Sequence, residues 1–468
     1  LKSLFLTSAF YTASSILVKG VSFLLVLWLA SFLSVEDYGD FGFLYALHQG
    51  IVVFSIAGIN ESTVGFLAKN KSDDERNRLL SNANYAILPS SIIVFFVLLI
   101  FYFASLKSSN PNLLLSCFVL TVLSGLMLAF STLQSQLNRL REDHVGSLIF
   151  LSVPALFIFL GGSVAVYYFE IGQYFFVGSS IAILACLVTV LSLIRKIRIP
   201  IRNGEYAKKI IWGLFPYFLI AVLGWINGYG NNFIINFFFD KPEIAAFTFI
   251  YTFSGVMLVI SNALNQVWAP RFYNSYNHTA FEELEKSNHK FYGILAFSLG
   301  LAASVMVLLY PTIISVIGGN TVAYEHMRFE LFLVLTSFVI YTPIWHCRIH
   351  IYARSKGKQL MKLTIISSIL GLLSTLAFIS LLGEDGIYIG FFSLTAISLI
   401  VIVLFARRNL NTHLNWWGVA LGTLLVTIIF GLSYLKVPEL FSILVIVIAI
   451  VGVAVYGYRS RTELSINE

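Results

Sequence analysis

Charge is scarce in this chain. Asp, Glu, Lys and Arg make up 11% of 468 residues, while apolar residues make up 58%. Soluble domains carry about a quarter of their residues charged, so a water-soluble globular fold is excluded. Cysteine is nearly absent. Cys117, Cys186 and Cys347 each sit inside an apolar run without ligand-like spacing, which rules out a disulfide framework and a cysteine-based zinc cluster. Long polar connections are also missing. Those expected on one side of the membrane are Ser34–Asp40, Lys107–Asn112, Glu170–Gln173, Asp240–Ile244, Gly318–Arg328, Gly383–Gly386 and Lys436–Glu439. None has room for an external catalytic domain, which counts against a membrane glycan polymerase or ligase and for a transporter rather than an enzyme. No carboxylate falls near the middle of an apolar run, which counts against a multidrug antiporter that extrudes cations.

The chain does have apolar runs long enough to cross a bilayer, which takes about 20 residues of helix. They divide it into about fourteen transmembrane helices, because an apolar run without hairpin alternation must satisfy its own backbone hydrogen bonds. The fold class is therefore an all-α polytopic membrane protein. The first span is Ala9–Leu33, the second Phe41–Phe66, the seventh Ile210–Phe238, the ninth Phe291–Ile317 and the tenth Phe329–Tyr352. No small-residue cleavage site follows a short apolar core, so the first span is expected to remain in the mature protein. Placing the amino terminus in the cytoplasm puts 24 of the 30 Lys and Arg residues in inner connections, with Lys107, Lys241 and Lys436 among the few outside. That is the positive-inside pattern. It predicts a multi-pass protein of a bacterial cytoplasmic (inner) membrane with both termini cytoplasmic, and it explains the basic net charge without nucleic acid.

Lys19 lies near the middle of the first span, beside Gly20. An ammonium there costs about 2.5–3.5 kcal/mol and persists where it faces a polar cavity and meets an anion. In that reading the chain handles something negatively charged within the membrane; the other reading is a lysine that snorkels to a surface or sits in a buried structural pair. The seventh span carries Trp225, Asn227, Asn231 and Asn232 among Pro216, Gly224, Gly228 and Gly230. A helix so interrupted is a hinge candidate. Its side chains fit sugar recognition by stacking and amide hydrogen bonds, and equally fit helix-to-helix contact. Asn262 and Asn265 near the inner end of the eighth span join this substrate-binding set. Asn60 and Glu61 in the second span and Arg348 in the tenth are candidates for coupling or gating, and Asn60 and Glu61 equally fit a plain interfacial role. His346 and His350 share a helix face beside Arg348. With no further ligand evident, they are expected to form an interfacial cluster rather than a metal site.

Val35–Leu47 aligns with Lys241–Phe253, pairing Phe41 with Phe247, Phe43 with Phe249, Leu44 with Ile250 and Tyr45 with Tyr251. The match is short and the chain holds 42 Phe, so chance is one reading; the other is that the offset of 206 residues spans six predicted helices, as two parallel six-helix lobes would give. The expected organisation is an N-lobe 1–194, a basic cytoplasmic linker 195–209, a C-lobe 210–406 and two further helices with a tail over 407–468, with a central cavity between the lobes.

The segment Leu33-Ser34-Val35-Glu36-Asp37-Tyr38-Gly39 resembles the Leu-Ser-x-x-x-Tyr-Gly turn after the first helix of Wzx-type polysaccharide flippases, members of the multidrug/oligosaccharidyl-lipid/polysaccharide exporter superfamily. Asn231–Phe238 followed by Tyr251 is similar to the family's seventh-helix pattern. Asn262, Pro270 and Tyr273 resemble its eighth-helix ending, and Tyr310-Pro311 with Tyr324 its ninth-helix exit. Where the family commonly has an Asp-Arg pair this chain has Asn231 and Asn232, so hydrogen bonding is expected to replace charge. The resemblance implies movement of polyprenyl-diphosphate-linked oligosaccharide, such as an O-antigen unit of lipopolysaccharide biosynthesis, to the outer leaflet. It implies a cavity lined by the first, second, seventh and eighth helices. Membrane lipid is an expected partner and other glycan-assembly membrane proteins are candidates. A monomer is expected, with no cofactor beyond a coupling ion, H+ or Na+.

Overall fold

An apolar segment in lipid satisfies its backbone as a helix. The computed structural model is helical throughout, with no strand among the described residues. These are 20–21, 23–56, 59, 87, 91–100, 102–103, 114–140, 143–193, 204–276, 279–354, 357–410, 412 and 414–464. In chain order the helices are α1 (Phe23–Phe32), α2 (Val35–Ile56), α3 (Ser91–Ile100), α4 (Leu115–Leu140), α5 (His144–Phe169) and α6 (Phe175–Leu193). Then come α7 (Gly204–Ile226), α8 (Asn231–Phe238), α9 (Lys241–Ser254), α10 (Val256–Ser275), α11 (Phe281–Ile317) and α12 (Arg328–Ile340). The last are α13 (Thr342–Ala353), α14 (Gly357–Leu382), α15 (Asp385–Asn409), α16 (Trp416–Tyr434) and α17 (Glu439–Leu464). Among the described residues nine helices are long and apolar enough to cross a membrane, or ten if the bent pair α7–α8 is one span. Shorter apolar helices are Phe23–Phe32, within the expected first span, and Ser91–Ile100, Gly172–Leu187 and Glu439–Val451.

Local chemistry moves several helix ends away from the hydropathy boundaries. α2 starts at Val35, not Phe41, because Ser34 caps it. The Ser34 hydroxyl accepts from the Asp37 backbone N–H at 3.1 Å and donates to Asp37 Oδ2 at 2.7 Å. The Leu-Ser-x-x-x-Tyr-Gly segment is thus a helix start. α11 begins ten residues before Phe291, its first turn carrying Glu282 and Glu283, which suit the positive end of a helix. The tenth span breaks at Tyr341, where Pro343 opens α13 and supplies no N–H to the preceding helix. α7 starts within the expected linker.

Two compact units emerge, Leu1–Phe249 and Ile250–Glu468. In the first, α4, α5 and α6 pack together and α2 packs on α4 and α7. Small residues allow the close crossings: a methyl at Gly161 would lie 2.7 Å from the Gly178 carbonyl oxygen. Hydroxyls join the helices too, Ser131 donating to the Phe150 carbonyl, Ser179 to that of Ile158 and Ser180 to that of Leu120. In the second unit α14 and α15 form a hairpin turned at Gly383, and α11 packs along α16. Large apolar side chains such as Leu160, Ile181, Leu373, Leu381, Leu404 and Leu444 point outward, as lipid-facing surfaces require.

Candidate functional site

The first unit is built around α2, 72% of whose apolar window is enclosed, the largest share among the nine spans. Phe41 stacks among Tyr38, Tyr45, Phe175 and Phe176. The opposite stripe is small: Gly42, Ala46 and Gly50 recur every four residues. A methyl at Gly42 would collide with the Thr248 hydroxyl and lie 2.9 Å from its Cβ. Thr248 is the residue aligned with Gly42 in the internal repeat, so α2 and α9 touch at matching positions. Asn232, fully buried, locks this crossing by donating to the Gly42 carbonyl at 3.0 Å and to Thr248 Oγ1 at 2.9 Å. One turn on, Trp225 Nε1 donates to the Ala46 carbonyl at 2.9 Å. Its ring leaves no room for a methyl at Gly50 and packs edge-on against Phe54 and tilted against Phe233.

The glycine-rich interruption of the seventh span is a real break. α7 ends at Ile226, Asn227–Gly230 form turns, and α8 leaves at 46°. The buried Asn231 amide donates to the Gly228 carbonyl at 3.0 Å, closing the break locally, and Asn227 is half-buried within it. Trp225, Asn227, Asn231 and Asn232 therefore share one region, and Trp225, Asn231 and Asn232 each donate a side-chain hydrogen bond to a backbone carbonyl.

At the end where α2 starts, Asp40 accepts from Lys241 Nζ at 2.8 Å and from Gln173 Nε2 at 3.0 Å, and Gln173 Oε1 accepts from the Leu114 N–H at 3.2 Å. A methyl at Gly39 would clash with the Lys241 carbonyl oxygen. The segments around residues 40, 114, 173 and 241, all expected on the same side of the membrane, meet here. Hydropathy places Asp40 in a connection, but the structure buries it inside α2.

In the second unit Asn262 on α10 is exposed. Asn265, one turn on, donates to the Ser261 carbonyl at 2.9 Å and accepts from the Tyr292 hydroxyl at 3.0 Å. Arg348 on α13 lies over the Tyr341 ring, 5.4 Å from its centroid. On the other side of α13, His346 and His350 face Glu285 of α11. The distances are 3.2 Å from His346 Nε2 to Oε1 and 2.6 Å from His350 Nε2 to Oε2, with all three side chains buried. Asn288 reaches the His350 ring at 3.0 Å and accepts from Trp268 Nε1 at 2.8 Å. Nearby, Arg354 donates to the Tyr276 hydroxyl and to the carbonyls of Asn409 and Leu410. A cavity of ≈ 540 Å³ opens beside this cluster, lined by Phe281, Glu282, Glu285, Lys286, His289, Arg354 and Leu410. The histidine pair therefore has the third donor that the sequence alone did not reveal, 61 residues away on another helix.

Lys19, Asn60 and Glu61 lie outside the described residues. Sequence reasoning missed Asp40, Lys241, Glu285 and Asn288. It also missed the small-residue stripe Gly42-Ala46-Gly50, whose spacing is a readable sign of close helix contact.

Residues 5–276 match the family described as "Polysaccharide biosynthesis protein". No curated protein matches by sequence. Among solved structures, an inward-facing multidrug resistance MATE family transporter of the MOP superfamily aligns at 14% identity with a TM-score of 0.65, covering 85% of this chain and 94% of that one. Lipid II flippase MurJ in an inward closed conformation aligns at 13% identity with a TM-score of 0.65, over 97% of this chain and 100% of that one. A MOP superfamily transporter from Pyrococcus furiosus aligns at 13% identity with a TM-score of 0.58, over 87% and 95%. At such identities the likeness is one of fold.

Proposed function

The chain belongs to the polysaccharide biosynthesis protein family, and from that membership we propose that it is a Wzx-type flippase moving polyprenyl-diphosphate-linked oligosaccharide from the cytoplasmic to the outer leaflet. The observation that carries the reading is the family match over more than half of the chain, joined to a transporter fold shared with a lipid II flippase along almost its full length. The chemistry supports it. The diphosphate is the group most costly to move through hydrocarbon, and Lys19 supplies a midplane cation for it. Trp225, Asn227, Asn262 and Asn265 offer stacking and amide groups for sugars, while the lipid tail stays in the bilayer, against the last two helices. Asn231 and Asn232 belong to the same region, with their amides holding the break and the crossing.

Transport follows from rocking of the two six-helix halves. The Asp40–Lys241 ion pair and the Gly42–Thr248 contact tie the start of the second span to the start of the eighth at the outer side, and their parting opens that side. Glu61, Asn60 and Arg348 are the groups assigned to coupling or gating, driven by H+ or Na+. The protein acts as a multi-pass monomer of a bacterial inner membrane with both termini in the cytoplasm.

The test is the leaflet location of lipid-linked oligosaccharide in cells lacking the gene, complemented by wild type or by equally expressed Lys19→Gln. Cytoplasmic-leaflet accumulation relieved by wild type and not by the variant is expected. Normal transfer in the deletion strain, with no redundant transporter, refutes the flippase. Full rescue by Lys19→Gln removes the lysine from the mechanism.

A further inference from the structure

We propose that Glu285, His346 and His350 form a binding site for one divalent transition-metal ion of the zinc class, pinning the start of α11 to the end of α13. Spacing of four residues puts both imidazoles on one face of α13, and the packing of α11 aims one carboxylate at both. The three donor atoms lie within 4.8 Å of one another, and two histidines with one carboxylate are a donor set zinc takes with a further position left open.

An indole N–H can only donate, so Trp268 fixes Asn288 Oδ1 as the acceptor and turns the amide NH2 toward His350 Nε2. That ring nitrogen is then an acceptor. It stands 2.6 Å from Glu285 Oε2, which as a carboxylate oxygen is also an acceptor. At 2.6 Å a proton bridges the two; a zinc ion with bonds of about 2.0–2.1 Å takes the proton's place when the pair spreads, displaces the Asn288 amide from the single lone pair of Nε2, and gains His346 as a third ligand. The adjoining cavity, with Glu285 in its wall and Glu282 and His289 along it, gives an ion a path and leaves space for water at the open position. The rival arrangement is a proton shared between Glu285 and His350, which binds no metal. Neither depends on the transport reading.

The full chain, purified in detergent with its affinity tag cleaved, is stripped with chelator, exposed to ZnCl2, desalted and assayed for metal. About one equivalent is expected in wild type and in Arg348→Gln, whose side chain is outside the set, with a loss to trace levels in Glu285→Gln and His350→Gln. Zinc should also raise the melting temperature of wild type and leave that of the two site variants unchanged. Trace zinc in wild type overturns the site and leaves the shared proton. Equal retention in a folded site variant also overturns it. Should both variants aggregate, X-ray absorption at the zinc edge of wild type decides: two imidazoles with oxygen support the site, and sulfur or an all-oxygen shell refutes it.

Discussion

Replacing Gly42 by alanine adds one methyl where α2 crosses α9. The added carbon meets Thr248 Oγ1 in a clash and its Cβ at 2.9 Å. Alanine favours a helix over glycine by about 1 kcal/mol, which by itself predicts a more stable protein. Against that, forcing a methyl into a packed crossing costs about 1–3 kcal/mol. Separating the helices also stretches the two Asn232 bonds that span them, each worth about 0.5–1.5 kcal/mol. The losses win, by about 1–3 kcal/mol. For a unit of this size that lowers the melting temperature by roughly 2–4 °C per kcal/mol, measured by fluorescence-detected size exclusion after heating. Gly42→Ala with Thr248→Gly returns the space at the cost of a helical glycine in α9 and one Asn232 bond, so part of the loss should be recovered. If Gly42→Ala melts at or above wild type, the crossing is not as tight as the geometry states and the reasoning fails.

Lys241→Met should destabilise the protein by about 1–2 kcal/mol, less than for a fully buried pair because Lys241 is 27% exposed and Gln173 still donates to Asp40. Asp40→Asn in the same background should recover most of it, and strictly additive effects in the double-mutant cycle would show that the pair is not coupled. Asn232→Ala should cost about 1–3 kcal/mol by removing both crossing bonds from a fully buried position, and an unchanged melting temperature would count against that role. Asn262→Ala, on an exposed side chain, should leave stability within about 0.5 kcal/mol of wild type and lower transport instead; unaltered transport would remove it from the substrate path.

Most of what could be read along the chain was local. The bend in the seventh span follows from Gly228 and Gly230, and the start of α2 from Ser34 and Asp37, signals that act within a single turn. The start of α11 was misjudged because hydropathy finds where lipid begins, not where a helix does, and Glu282 and Glu283 extend it beyond the apolar run. Hydropathy likewise leaves Asp40 in a connection and Glu285 outside the ninth span, although packing buries both.

By itself the sequence determined an all-helical membrane protein, because apolar run length and the need to satisfy each backbone group in lipid are properties of neighbouring residues. Only the tertiary structure decided which polar groups meet. Asp40 and Lys241 are 201 residues apart, Asn232 and Gly42 190, and Glu285 and His346 61. Such pairings are set by helix crossings, where small residues permit approach and side-chain shape fixes the rotation. No hydropathy pattern encodes that geometry.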